Sequence, residues 1–270
     1  MRSQAGLVLA FFFFLSSGCD YYFGDDDSGA DGSGSDDGTD GSDGSGTDDG
    51  GGGGGVIDGG AAQPDGAAAC DPIAILPEGY LPVPVVSTGE VTNDPESRPE
   101  VFVTTVDASA GGAAGQADQP FVYLDLEAAE GAARLDLDDI SAQGSTDWDI
   151  ALKRFVIRAN SGDSGPADAE VATVTAQDLT FDDDVPSDRF ADEDWTRDGC
   201  ELVRDSSGGP RTRFSNWYKV QAGRFENQPV VHLVRLSGGR YAEIDVNTYY
   251  GDAAAPERSG VYVLRWRRFP

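Results

Sequence analysis

The sequence predicts an all-β, or mainly β, domain of a single fold, preceded by a signal peptide and a long acidic linker. Three observations carry this. Several runs after residue 70 alternate apolar and polar residues and are rich in Val, Ile, Tyr and Trp, as half-buried strands are. No stretch carries a long 3.6-residue apolar period with helix caps. Residues 1–69 hold a short apolar core and then a Gly, Asp and Ser tract with almost nothing to bury.

Residues 1–18 read as a signal peptide. Arg2 supplies the positive end, and GLVLAFFFFL is an apolar run of signal-core length. It falls short of the roughly 20 apolar residues that span a bilayer. SSGC then leads to Cys19, the pattern of a bacterial lipoprotein signal, with Leu15 one place earlier than usual. On this reading Cys19 is the lipidation site, and acyl chains anchor the protein at about 0.8 kcal/mol per buried CH₂ group. An ordinary secretory signal with a spare cysteine is the alternative. The expected location is the bacterial cell envelope, as an outer membrane lipoprotein or at the cell surface.

Residues 19–69 read as a disordered tether. GDDDSGADGSGSDDGTDGSDGSGTDDGGGGGG repels itself and cannot offset the entropy of ordering its glycines. Its aspartates match neither the EF-hand register nor a nonapeptide calcium repeat. No Lys or Arg occurs between Arg2 and Arg98. The whole chain carries a net charge of −29, which argues against nucleic acid and against charge-driven binding to anionic lipid. The membrane is therefore expected as a partner only through the lipid anchor.

Residues 70–270 read as the β domain. ILPEGYLPVPVV is too broken by proline for a central strand and suggests an extended arm. FVYLDLE sets Phe121, Tyr123 and Asp125 against Val122, Leu124 and Leu126. EAAEGAARLD can hold a turn of helix. In STDWDIALKRFVIRANSGDSGP, Trp148, Ile150 and Leu152 share one face at period two, while Phe155 and Ile157 fall out of phase. A strand with a bulge near Lys153 and Arg154 explains the shift. A short helix is the rival. VATVTAQDLTF, VVHLVRL, RYAEIDVNTYY and GVYVLRWRRF complete the strands, with SGG before Arg240 as a hairpin turn.

Little of this carries catalytic chemistry. His232 is the single histidine, and no G-x-S-x-G elbow accompanies it. It reads mainly as a strand histidine and is a weak ligand-binding candidate for metal or haem. Asp147 with Asp149, and Asp182 to Asp184, read as solvated turns before glycosidase carboxylates. Trp195, Trp217 and Tyr218 can line an apolar pocket, but ordinary core packing explains them more readily. With Cys19 lipidated and the domain exported, Cys70 and Cys200 are a candidate disulfide, two isolated thiols being the alternative. Two cysteines and one distant histidine lack zinc-ligand spacing.

Three stretches together resemble the HmuY family of bacterial envelope lipoproteins. They are FVYLDL at residues 121–126, DWDIALKRFVIRANSG at residues 147–162, and HLVRLSGGRYAEIDVNTYY at residues 232–250 with the final VYVLRWRRF. The resemblance implies a β fold and haem as a possible cofactor. It also implies iron held between two side chains, a histidine pair or histidine with methionine. This chain departs from that pattern, with one histidine and Met1 as its only methionine. The expected function is a non-catalytic, lipid-anchored protein that binds haem or another small hydrophobic ligand. An envelope protein-protein interaction or structural lipoprotein is the alternative. A hydrolase built on carboxylates is the third and weakest reading.

Overall fold

Short turns between strands rich in branched and aromatic side chains favour antiparallel pairing, and antiparallel sheets dominate this protein. A computed structural model describes residues 70–95, 101–175, 187–236, 238–251 and 258–269. The signal peptide, Cys19, the tether and Asp182 to Asp184 lie outside the described residues. The strands begin with β1 (Val91–Pro95), β2 (Val101–Asp107), β3 (Val122–Asp125), β4 (Ala133–Leu135), β5 (Ile150–Lys153), β6 (Val156–Ala159) and β7 (Val171–Thr175). They continue with β8 (Thr196–Arg197), β9 (Glu201–Leu202), β10 (Tyr218–Gln221), β11 (Arg224–Asn227), β12 (Val230–Arg235), β13 (Tyr241–Thr248) and β14 (Val261–Phe269). The domain is mainly β, as the alternating runs imply.

Two sheets form the body. One has six strands in the order β1-β2-β14-β13-β12-β7, and the other has four in the order β4-β3-β5-β6. The largest core cluster lies between them. It takes Phe102, Val106, Val234, Ile244, Leu264 and Trp266 from the first sheet, and Val122, Leu124, Ile150, Leu152 and Ile157 from the second. The alternation in FVYLDLE holds, since Phe121 and Tyr123 turn to the opposite face and a second cluster.

That second cluster buries the outer face of the four-stranded sheet. Leu76 and Tyr80 of the N-terminal arm cover it, with Trp148 and Trp195. Trp195 Nε1 donates to Pro72 O at 3.2 Å, and Trp148 Nε1 donates to Ala142 O at 3.0 Å. Cys70 and Cys200 are joined as a disulfide with Cα atoms 5.5 Å apart. It ties the start of the arm to the loop that follows Trp195.

Two local expectations need correction. The stretch from Trp148 to Ala159 is a hairpin, with Lys153 paired to Val156 across Arg154 and Phe155, where a bulged strand was expected. Trp148 accordingly packs in the second cluster and does not share a face with Ile150 and Leu152. Arg154 adopts φ 52°, a conformation usually left to Gly or Asn, so the turn carries no sequence signature. Tertiary bonds hold it: Arg154 N donates to Ala108 O at 2.8 Å, and Tyr262 Oη donates to Arg154 O at 2.7 Å. The helical turn expected in EAAEGAARLD also moves. Residues 127–131 are bends and turns, and α1 lies beyond them at Asp139–Ala142. The cap explains the shift, because Asp138 accepts from Ser141 N at 2.7 Å.

Two variants test this architecture by urea unfolding. Leu124, fully buried between the sheets, should lose about 3–4 kcal/mol on truncation to alanine. Replacing Cys70 and Cys200 together by serine releases a link spanning 130 residues and should lose up to about 4–5 kcal/mol on the chain-entropy model.

Candidate functional site

Strand β12 runs between β13 and β7, and this fixes the surroundings of His232. The ring lies opposite Ile244 on one neighbour and Thr173 on the other, and the residue is fully buried. Phe214 packs against it, with ring centroids 4.5 Å apart. Its Nε2 meets Asn216 Oδ1 at 2.8 Å, and its Nδ1 has no hydrogen-bond partner among the described residues. Burial pushes its pKa down to about 3, so the ring is neutral at physiological pH. An iron ligand must present its nitrogen to an open slot. His232 presents one nitrogen to an amide and the other to packed core.

The remaining sequence candidates scatter. Asp149 is buried and accepts from Leu126 N at 2.7 Å, a structural role, while Asp147 is exposed. Trp195 belongs to the covered outer face. Among the described residues no group of three or more His, Cys, Asp and Glu side chains could hold a metal ion. Lys153 and Arg158 went unnoticed as site residues. Both are buried on the outer face of the four-stranded sheet, with Arg158 4.0 Å and Lys153 5.5 Å from the Phe121 ring centre. Burial pushes the Lys153 pKa down to about 8.

Trp217 and Tyr218 instead lead to an aromatic cluster under a hairpin. Strands β10 and β11 pair only with each other. An isolated two-stranded ribbon is marginal in water, so side chains must hold it down. Ala222 and Gly223 take φ 49° and 74° at its tip, the pair of positive values that a two-residue hairpin turn needs. Tyr218 and Phe225 face inward while Lys219, Val220 and Gln221 are exposed.

Beneath the ribbon, Phe225 stacks on Phe155 at 5.1 Å with ring planes 18° apart. Trp217, Tyr249 and Tyr262 continue the cluster at centroid distances of 5.3 to 5.6 Å. Most polar tips are satisfied. Trp217 Nε1 donates to Phe155 O, Tyr218 Oη donates to Asp205 Oδ2 at 2.6 Å, and Phe225 N donates to Tyr250 Oη at 2.9 Å. Tyr249 Oη is not satisfied. It is buried with no partner among the described residues, and burial pushes its pKa up to about 12. A buried unpaired hydroxyl loses roughly 1–3 kcal/mol relative to a paired one.

A tetrapyrrole needs flat apolar walls, and its iron takes nitrogen, sulfur or phenol oxygen donors. The cluster supplies the walls through Phe155 and Phe225 and one phenol oxygen through Tyr249. A histidine pair or histidine with methionine does not fit here, since His232 is the single histidine and faces away into the core. Phe155 and Phe225 stack on each other and leave no open slot between them, so the cluster offers aromatic faces and one phenol oxygen, and no histidine donor.

Comparison with protein families finds the HmuY protein family over residues 117–262, more than half of the chain. Among solved structures, an apo HmuY analogue from Tannerella forsythia is 16% identical, covering 68% of this chain and 98% of its own with a TM-score of 0.41. A Bacteroides vulgatus ATCC 8482 protein, inferred to be HmuY-like and heme-binding, is 15% identical over 68% of this chain and 97% of its own, with a TM-score of 0.41. A Bacteroides fragilis NCTC 9343 protein, inferred to be a lipoprotein, is 19% identical over 64% and 91%, with a TM-score of 0.39. A search of curated proteins finds no match.

The placement of His232 makes a direct prediction. A folded pKa near 3, below the unfolded value of 6.5, means that its contribution to stability is present above pH 6.5 and lost as the pH falls toward 3. Proton NMR of the single imidazole should therefore show no titration between pH 8 and pH 5 in the folded protein. An ordinary midpoint near 6.5 would contradict the burial.

Proposed function

This chain belongs to the HmuY family, and from that premise we propose that it is a non-catalytic, lipid-anchored envelope protein that binds a planar hydrophobic ligand. Haem or another tetrapyrrole is the first such ligand to consider. The site is the aromatic cluster beneath the β10–β11 hairpin. The observation that carries this is Tyr249 Oη, a buried hydroxyl without a partner among rings that could face a flat ligand on both sides. The hairpin is held through Tyr218, Phe225 and Asn227, and lifting it would separate Phe225 from Phe155. In this role the chain's residues stack, exclude water and offer one phenol oxygen. Histidine ligation has no part in it.

The anchor reading rests on GLVLAFFFFLSSGC and Cys19. Among the described residues no helix is long and apolar enough to cross a membrane. In this reading residues 19–69 are the tether between the anchored cysteine and the β domain at residues 70–270. Replacing Cys19 by serine should move the protein from the membrane fraction to the soluble fraction; retention in the membrane would defeat the anchor.

A second reading, contact with another envelope protein, is favoured by one observation. Val85, Val86 and Ile140 are 50%, 39% and 53% exposed, and a bridge between Val86 and Asp138 brings their segments together. Crosslinking in the intact envelope with and without Val85→Asp tests it; an unchanged crosslinking pattern would count against this face.

Two ligands separate ring stacking from iron ligation. Haemin and iron-free protoporphyrin should each quench tryptophan fluorescence and shift their own absorption on binding the purified protein. Phe225→Ala should weaken both at least about tenfold, as expected when one aromatic wall is removed. Tyr249→Phe should weaken haemin alone. An absence of any spectral change with either compound would remove tetrapyrroles from the function.

A further inference from the structure

We propose that a polar cleft beside β7 binds an oxyanion, a phosphate, sulfate or carboxylate group carried on a polar ligand. The cleft has a volume of about 580 Å³. It is independent of the aromatic cluster and of the tetrapyrrole reading. Every side chain that lines it is polar, which excludes a macrocycle or lipid tail as its occupant. Three of them are arginines, Arg204, Arg211 and Arg213, in a chain with only 19 Lys and Arg residues against 48 acids. Guanidinium groups recognise oxyanions through paired N–H donors.

The arginines are held in place before any ligand arrives. Arg211 N donates to Val203 O at 2.9 Å, and Arg213 N donates to the buried Glu193 Oε2 at 2.8 Å. Arg211 and Arg213 flank the buried Thr212, and both are exposed and line the cleft. Arg204 Nη1 donates to Gly208 O, and Arg213 Nε donates to Asp192 O, each at 2.7 Å. These two bonds orient the Arg204 and Arg213 side chains and leave further N–H groups on each of those guanidiniums, while Arg211 is held through its backbone. Two carboxylates also line the cleft, and Asp205 is already occupied. It accepts from Ser207 N at 2.9 Å, Gly209 N at 3.0 Å and Tyr218 Oη at 2.6 Å. Asp194 is the second acid, so three arginines face two carboxylates and the lining keeps a net positive charge of one.

Asn216 adds a neutral donor, and His232 orients it. The amide lines the cleft and its Oδ1 meets His232 Nε2 at 2.8 Å. A neutral imidazole carries one proton. Placing it on Nε2 leaves Nδ1 as an unpaired acceptor, and the opposite tautomer would bury an unpaired donor, which proteins tolerate less well. The histidine therefore donates to Oδ1. The Asn216 NH₂ group then points away from the ring, as the planar amide requires, and is available to the cleft. His232 acts here as a positioning residue behind the wall and touches no ligand itself.

The single histidine is also the reporter. Full-length protein is titrated with inorganic phosphate, sulfate and acetate, each against sodium chloride at matched ionic strength. The His232 ring signals are followed by NMR. The expected result is a saturable shift with at least one of the three oxyanions and none with chloride; the oxyanion that saturates names the class. Arg211→Ala with Arg213→Ala should weaken that binding at least about tenfold, since both charged donors go. Asn216→Asp, a surface change that puts a negative charge beside the site, should do the same. Unchanged melting temperatures in these variants separate lost binding from lost folding. Equal shifts with chloride, or undiminished affinity in the double arginine variant, would overturn the proposal. Retained oxyanion binding in Phe225→Ala would show that the cleft stands whether or not the aromatic cluster binds a tetrapyrrole.

Discussion

The Asp139 carboxylate ties together everything that covers the outer face of the four-stranded sheet. It accepts from Phe121 N at 2.9 Å, from Tyr123 Oη at 2.8 Å and from Val83 N at 3.2 Å. Those donors belong to the edge of β3, to its outer-face side chain and to the N-terminal arm. Arg158 Nη2 donates in turn to Tyr123 Oη at 2.8 Å. One acid thus anchors the arm, starts α1 and ends a chain of bonds reaching a buried guanidinium. A buried cation is tolerable only with such partners, because desolvation otherwise dominates. The arm, Trp195 and the disulfide keep this face dry, and the sheet becomes the middle layer of the molecule.

Against that layer the β10–β11 ribbon is differently made. The two main sheets share a large apolar core, while the ribbon pairs with neither and lies on aromatic faces. Aromatic pairs tolerate several offset geometries at similar energy, unlike a hydrogen-bonded ladder in fixed register. The ribbon exchanges no ladder bonds with either main sheet. The buried hydroxyl of Tyr249 lies under that same element. Loose attachment and an unsatisfied polar atom coincide in one place.

Period-two alternation was enough to reveal the sheets, since it reports which side of a strand meets the core. FVYLDLE divides its side chains between two clusters as its spelling implies. The β5–β6 turn was hidden because Arg154 holds a left-handed conformation through contacts with Ala108 and Tyr262, both remote in sequence. The cysteines were a legible pair; whether their Cα atoms meet is a property of the fold. The site was the least legible part. His232 drew notice as the single histidine, and its neighbour across space, Asn216, carries no signal in SNWYKV. The arginines of RDSSGGPRTR are visible as letters, but the bridge between Arg204 and Pro210 that helps bring their loop back on itself is not.

The aromatic cluster and the polar cleft meet at Tyr218 Oη, which lies 2.7 Å from Ser207 Oγ and makes its shorter bond, at 2.6 Å, to Asp205 Oδ2. If that bond were the main support of the cleft, movement of the ribbon would collapse it. The other bonds show that it is not. Ser207 N, Ser207 Oγ and Gly209 N all donate to Asp205 Oδ1, at 2.9, 2.7 and 3.0 Å. They close the loop on itself, and Asp205 N donates to Gly209 O at 2.9 Å from the other side. Arg211 and Arg213 are pinned to Val203 and Glu193, which belong to neither the ribbon nor its rings. Losing Tyr218 removes one donor from a carboxylate that keeps three. The two sites are neighbours in space, and the loop between them is stiff enough for each to be occupied or altered without dismantling the other.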